Sequence, residues 1–281
     1  MPFVVAEREG FFAEAGLEVE LVAPADHWEA EQEILAGRLD VAVTETLHLA
    51  QDAANSKPII GFSRFLHTDG GVMYFANKSI TRPRDMCGAT ITYPGSPGPG
   101  GPAIVQTMVE ADGGTCDVAS YGKHNGGFDH VGALASGKAD VATLIFANFE
   151  IPFASAAGHE AKFFSLKEWG VPDFCQLVLM TTPERFDALK PALRSLVLAM
   201  RRATGVIHRE PERAKSLYRL SESEMPMTTL DQTLPMFPND NSISSEYFDH
   251  LMSWLVKTKQ VPAESQGIAP SVYWTNEVAL P

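Results

Sequence analysis

Cysteine is scarce in this chain: Cys87, Cys116 and Cys175 are the only three in 281 residues. An odd number without metal-like spacing suggests neither a disulfide framework nor a metal knuckle, so each is expected to be a buried free thiol. Long apolar runs are also missing, and none approaches the ~20 residues that span a bilayer. Met1-Pro2-Phe3-Val4-Val5-Ala6 lacks the basic start, apolar stretch and cleavage site of a signal peptide. The expected location is therefore the cytoplasm, or an extracytoplasmic space if an upstream signal has been removed. Basic residues are outnumbered, 22 Lys and Arg against 35 Asp and Glu, for a net charge of −13 and a pI near 5.0. Such a surface repels nucleic acid and anionic membrane, and neither is expected as a partner. His27, His67 and His124 show no paired spacing, so no metal is expected, and no Ser-His-Asp arrangement can be read from the order of residues.

What the chain does have is an apolar fraction of 45 %, enough for one large or two modest domains with real cores. Its most distinctive stretch is Tyr93-Pro94-Gly95-Ser96-Pro97-Gly98-Pro99-Gly100-Gly101. The β-branched and aromatic residues of 89–93 predict a strand before it, and 102–109 predicts a helix opening on Pro102. A strand, a Gly-rich loop and a helix together aim free backbone N–H groups at a ligand, with Gly95, Ser96 and Gly98 as the donors. The alternative is a plain Pro/Gly surface turn. The loop is no Walker motif, because no Gly-Lys-Ser/Thr follows, and its prolines remove N–H groups that a dinucleotide pyrophosphate needs.

Elsewhere the pattern alternates between strand and helix periods. A strand-like start is expected from Val4, running into a short helix closed by Gly16, and strands are expected at 17–22, 39–43, 58–62, 72–76, 117–121, 139–146, 161–165 and 177–180, with 80–86 as an extended crossover. Helices are expected at 29–36, 44–54, 130–136, 191–209, 211–220 and 245–258, and the end of the chain is irregular. One pattern occurs twice. Gly37-Arg38-Leu39-Asp40-Val41-Ala42 and Gly137-Lys138-Ala139-Asp140-Val141-Ala142 share Gly-basic-x-Asp-Val-Ala, each closing a helix and opening a strand of a covered parallel sheet. The repeat predicts two α/β lobes with a ligand cleft between them.

Val4-Val5-Ala6-Glu7-Arg8-Glu9-Gly10-Phe11-Phe12-Ala13-Glu14-Ala15-Gly16-Leu17-Glu18-Val19 resembles the opening of ABC-transporter solute-binding proteins of the nitrate/sulfonate/thiamine-precursor superfamily. Within it, the chain is most similar to the thiamine-pyrimidine branch, which holds formyl-aminopyrimidine-binding proteins and the fungal pyrimidine synthases. Tyr93-Pro94-Gly95, Gly127-Phe128-Asp129, Asn148-Phe149-Glu150, Trp169-Gly170-Val171-Pro172-Asp173 and Pro211-Glu212-Arg213-Ala214 carry the resemblance over nearly the whole chain. It implies a two-lobed, periplasmic-binding-protein-like (type II) α/β fold that closes by hinge motion. Residues 1–82 with 181–281 are expected to form lobe I and 83–180 lobe II, joined by two crossovers. Family members carry a further stretch ahead of Pro2-Phe3, so the first strand is expected to be short here.

The resemblance also implies roles. Glu150 is the acid that would hold an aminopyrimidine, against the alternative of a solvated loop acid, and Asn148 is its neutral partner on the same ring. His48 matches the histidine that the fungal enzymes consume, but Thr44 stands where those enzymes carry the lysine that binds pyridoxal phosphate. Without that amine no Schiff base forms, so no cofactor is expected, and His48 is either a pocket donor or a packing residue. Thr44 and Glu45 are expected at a helix N-terminus facing the cleft, with a simple N-cap as the other reading of Thr44. Tyr93 and Phe174 join the expected site, and Trp28, Phe146 and Trp274 are further candidates to stack on a flat ring. The expected function is capture of a small polar molecule, a thiamine pyrimidine precursor, for delivery to an ABC permease. An enzyme on the same fold, acting in pyrimidine-precursor synthesis or decarboxylation, and a ligand sensor are the alternatives.

Overall fold

The computed structural model describes residues 1–23, 29–93, 100–219 and 225–279. In chain order its elements are helices α1 (Pro2–Arg8), α2 (Phe11–Glu14) and α3 (Glu29–Leu35), strand β1 (Ala42–Glu45), helix α4 (Thr46–Ala54), and strands β2 (Ile60–His67), β3 (Gly70–Phe75) and β4 (Thr90–Tyr93). Next come α5 (Gly100–Ala111), β5 (Gly122–Asn125), α6 (His130–Ala135), β6 (Val141–Phe146), α7 (Ala147–Ala156), β7 (Ala161–Ser165) and β8 (Gln176–Thr181). The remainder is helical: α8 (Pro183–Arg209), α9 (Pro211–Arg219), α10 (Met227–Thr233) and α11 (Ser245–Lys257).

The strands form two sheets, one of order β1-β8-β2 and one of order β5-β4-β6-β3-β7. The first is antiparallel throughout, whereas β5-β4-β6 is parallel, with β3 and β7 added antiparallel. The chain passes from the first sheet to the second between His67 and Gly70, and returns to the first at Gln176. This is the α/β architecture expected, and helices cover the sheets. The apolar stripe of α8 seals the first sheet through Leu193, Leu196, Val197, Met200 and Ile207, all buried with Phe62 and Leu179. On the second sheet, Ala133 and Leu134 of α6 and Ala154 of α7 close over Met73, Phe75 and Ile145. α11 lies beside α4, and its Trp254 indole N–H donates to Thr107 of α5 at 3.1 Å.

The repeat has a physical basis. Gly37 and Gly137 take φ of +73° and +72°, the left-handed conformation that ends a helix cheaply only at glycine. The aspartate three residues later anchors each strand. Asp40 pairs with Arg185 at the start of α8, while Asp140 accepts from Lys78 at 2.7 Å and from the Thr90 N–H at 3.0 Å. β1 nevertheless departs from the expected parallel sheet, because it pairs antiparallel with β8.

Several local expectations give way to tertiary packing. Residues 2–8 form a helix rather than a strand, because Pro2 starts it and Val5 and Ala6 are wholly buried beneath α8. Residues 17–22 are not hydrogen-bonded as a strand, although Leu17 and Val19 pack on the same core as α8. Residues 118–120 form a short 3-10 turn closed by the Asp117 side chain, and the strand begins at Gly122. The expectation of three free thiols is corrected too. Cys87 and Cys116 form a disulfide, and only Cys175 is free and buried.

That disulfide encloses β4, α5 and the Gly-rich segment between them, with Asp112 beside it held by Arg82 and Arg84. The two guanidinium groups keep the Asp112 carboxyl well below the usual carboxylate range. Closing 29 residues of sequence restricts the unfolded chain by about 3–4 kcal/mol. The Cys87→Ala/Cys116→Ala double variant should lose stability of that order in a denaturant titration. An unchanged midpoint would mean that the crosslink does not form.

Candidate functional site

The two chain crossings lie side by side and form the floor of the site. The Thr68 N–H donates to the Cys175 carbonyl at 3.1 Å, and His67 of the first crossing meets Asp173 of the second at 2.8 Å. Gly70 packs so closely on Cys175 that a Cβ there would lie 1.8 Å from the sulfur. Asp69 accepts from Ser165 at 2.8 Å and pairs with Lys167 at 3.1 Å, while its carbonyl accepts the Ala147 N–H that starts α7.

On either side of this floor stands a strand-to-helix junction, β1–α4 from the first sheet and β6–α7 from the second. Each follows one copy of the Gly-basic-x-Asp-Val-Ala pattern. Glu45 is the last residue of β1 and caps α4 with its backbone alone, since its side chain makes no cap hydrogen bond. Glu150 lies in the first turn of α7, where its Oε2 accepts the Phe146 N–H at 2.7 Å. Both residues are half-buried, and the partial loss of water around their carboxyls, with the charge of Glu150 added for Glu45, pushes each up to about 7. The Cys175 thiol is itself pushed well up, first by burial and then by the charges of Glu45, Asp173, Glu150 and Asp69. Four acids from both sides of the fold thus converge on one place.

The expected site residues divide over this geometry. Glu45 and Glu150 come together. His48 occupies the first turn of α4, half-buried, and Asn148 the first turn of α7, 100 positions later, the same offset as the repeated pattern. Asn148 is buried and committed to the protein: Thr68 donates to its Oδ1, and its Nδ2 donates to Thr233 of α10 at 2.7 Å. Its amide therefore ties α7 to the first crossing and to α10. Thr44 is a strand residue opposite Val178, not a helix cap, because the helix begins at Thr46. The Thr46 hydroxyl donates to the Phe174 carbonyl at 2.9 Å and lies 2.6 Å from that of Tyr247.

Phe174 is a correction. It is fully buried against Trp254 and serves the core, leaving no ring face for a ligand. Tyr93 is also buried, and its ring packs so tightly on Gly101 that a Cβ there would come within 2.6 Å. Trp274 is core, packed on Phe248, while Phe146 stays half-buried beside Glu150. Gly95, Ser96 and Gly98 of the expected loop, and Trp28, lie outside the described residues. A separate cavity of about 430 Å³, between the end of β5 and α6, is lined by His124, Asn125, Asp129 and Ser136 and by none of the expected residues.

Sequence reasoning missed Asp69, His67 with Asp173, and Tyr247, whose hydroxyl donates to the Asp173 carbonyl at 3.0 Å. Their only signal was proximity to the crossings, which pairing reveals and spacing does not. Among the described residues no group of three or more His, Cys, Asp or Glu is placed to hold a metal, and no helix is long and apolar enough to cross a membrane.

This fold is that of the periplasmic binding proteins. The alkanesulfonate-binding protein of Xanthomonas axonopodis pv. citri bound to MOPS superposes with a TM-score of 0.76 at 12 % identity, over 97 % of this chain and 94 % of that one. The chain belongs to the NMT1/THI5-like family, whose pattern matches residues 1–214. It is 30 % identical over 178 residues to the formylaminopyrimidine-binding protein of Halalkalibacterium halodurans, covering 63 % of this chain and about half, 53 %, of that protein. A putative thiamine biosynthesis protein of Haemophilus influenzae is 25 % identical over 84 % of this chain and 75 % of its own length.

Two expectations follow from the site. A carboxyl raised on folding stabilises the folded state below the unfolded value, near 4.5, and that contribution is lost as pH rises through about 7. The melting temperature of ligand-free protein should therefore fall between pH 5 and pH 8, less so in Glu45→Gln; a pH-independent difference between the two proteins would refute the burial of this acid. Asn148→Ala should cost about 1–3 kcal/mol in chemical unfolding, since it leaves the buried Thr68 hydroxyl without its acceptor.

Proposed function

We propose that this chain is the ligand-capturing component of an ABC import system, with a formylaminopyrimidine-like thiamine pyrimidine precursor as its ligand. The two sheets are the centres of two lobes, and the ligand lies between the β1–α4 and β6–α7 junctions. Glu150 carries the reading. A carboxylate in the first turn of a helix, already oriented by a backbone N–H and sheltered from water, presents its remaining lone pairs to an amino group and an adjacent ring nitrogen. In a closed cleft such a charge-assisted pair is worth more than in water. The formylaminopyrimidine-binding relative supports the choice of ligand, and His48 and Phe146 are the nearby side chains that would complete the pocket.

An extracytoplasmic site of action is supported by the Cys87–Cys116 disulfide, because such crosslinks persist in oxidising compartments and are rare in the cytosol. The partner that then receives the ligand is a membrane permease.

Calorimetric titration with formylaminopyrimidine and hydroxymethylpyrimidine tests the proposal. Wild-type protein should bind one of them with micromolar or tighter affinity and return it unchanged. Glu150→Gln should bind at least tenfold more weakly, about 1.4 kcal/mol. Unaltered affinity in the variant removes Glu150 from the site, and turnover of the ligand points to an enzyme instead.

A further inference from the structure

The cavity between the end of β5 and α6 has a volume of about 430 Å³, and the polar groups around it lack partners. Thr92 of β4 stands opposite His124 of β5 in the parallel register, so both side chains leave the sheet on one face. α6 covers that face, because Ala142, the register partner of Thr92 on β6, is buried with Ala133 and Leu134. His124 lines the cavity. Beside it the Thr92 hydroxyl is wholly buried and has no hydrogen-bond partner among the described residues. Gly126, also in the lining, keeps the way to that hydroxyl open: a Cβ there would lie 2.7 Å from Thr92 Oγ1 and 3.4 Å from His124 Nε2. On α6, His130 is 1 % exposed, and neither of its ring nitrogens has a partner among the described residues. It shares the buried face of the helix with Ala133, which lines the cavity. Buried polar groups are normally satisfied, so these two orphans call for a polar occupant.

The charges around the cavity narrow what that occupant is. Asp129 and Lys138 both line it, one just before α6 and one just after, and among the described residues neither forms an ion pair. Opposite charges that face one cavity without bonding to each other suit a ligand that carries both. The Asp129 Oδ1 accepts the Gly132 N–H at 2.9 Å, which leaves Oδ2 for a donor, and the Asn125 Oδ1 accepts the Gly127 N–H at 3.2 Å, which leaves its amide N–H groups to donate. Ala133 is the apolar side chain of the lining, and no aromatic ring is present there, so the ligand is small and polar. We propose that this cavity is a binding site, separate from the cleft assigned above, for a small polar zwitterion of the α-amino acid type. The ligand carboxylate accepts from the Lys138 ammonium and the Asn125 amide, its ammonium donates to Asp129, and a side-chain hydroxyl reaches His124 and Thr92. A simple anion or a simple cation satisfies one of the two charges and is opposed by the other.

The test titrates the full chain by calorimetry with L-serine, with ethanolamine, which lacks the carboxylate, and with lactate, which lacks the ammonium. Wild type should bind L-serine at least tenfold more tightly than either. Lys138→Gln and Asp129→Asn should each weaken L-serine binding at least tenfold; asparagine caps a helix as well as aspartate, so the second variant keeps α6 in place. In the amide NMR spectrum, L-serine should move the signals of Gly126 and Gly132 and leave that of Glu150 where it is. No binding of L-serine, equal binding of the three probes, or unchanged affinity in both variants overturns the site. Competition between L-serine and formylaminopyrimidine, or shifts at Glu150 in place of Gly126, puts L-serine in the cleft and overturns it too. If L-serine binds as expected while formylaminopyrimidine does not bind at all, the zwitterion site stands and the precursor assignment fails.

Discussion

The contact on which the rest of the molecule depends is the one between the two chain crossings, Thr68 against Cys175 and Gly70 against its sulfur. The chain leaves the first sheet at His67 and returns to it at Gln176, and these two short stretches are bonded to each other. Only a residue without a side chain fits at Gly70, so the crossings sit as close as backbone permits. Their closeness sets the distance between the strand-to-helix junctions that flank them. β1 is bonded to β8, which leaves the second crossing, and β6 to β3, which leaves the first. The two junctions are therefore tied to the same pair of crossings by topology, not by sequence proximity.

Stability and function pull in opposite directions at this point. Burial of Glu45 and Glu150 raises both carboxyls and costs the ligand-free protein free energy at neutral pH. The surroundings offset part of that cost. The Phe146 N–H stabilises ionised Glu150, and the neighbouring Asp69 is paired with Lys167, which lowers the negative potential around the crossings. Below the floor the polar groups are closed off: Thr46, Tyr247 and the carbonyls of Asp173 and Phe174 satisfy one another.

Much of this was legible in the sequence, for definite reasons. The repeated Gly-basic-x-Asp-Val-Ala pattern marks the two places where a glycine-ended helix turns into a strand, and both strand positions follow from it. Glu45, His48, Asn148 and Glu150 were singled out by family resemblance and by their place just after these strands, and the structure puts them at the two strand-to-helix junctions. Orientation was not legible. Whether β1 runs parallel or antiparallel to its neighbour depends on β8, more than 130 positions away, and no local period encodes that. Phe174 looked like a stacking ring because aromatic residues near a cleft often are, yet Trp254, from a helix 80 positions later, buries it. The Cys87–Cys116 bond is of the same kind, since a 29-residue separation carries no signature until the turn before β4 and the segment after α5 are placed together. Residues 2–8 failed for the opposite reason: Val4 and Val5 favour a strand locally, and packing beneath α8 decides otherwise.

Asn148 shows why residue type and neighbourhood are insufficient to assign a ligand contact. It lies two positions from Glu150 and in the turn of α7 that matches His48 in α4, so a role on the same ring is the natural expectation. Its amide instead accepts a hydrogen bond from Thr68 and donates one to Thr233, filling one acceptor and one donor with protein partners. Thr68 belongs to a crossing and Thr233 to α10, which packs on α7 and leads into the core beneath α8 through Leu234 and Phe237. Asn148 thus holds the second sheet's helix against elements of the first, and it orients the turn that carries Glu150. In the proposed cleft Asn148 thus sets where Glu150 stands, and a ligand held there could drive closure by no more than the difference in its affinity for the open and closed arrangements.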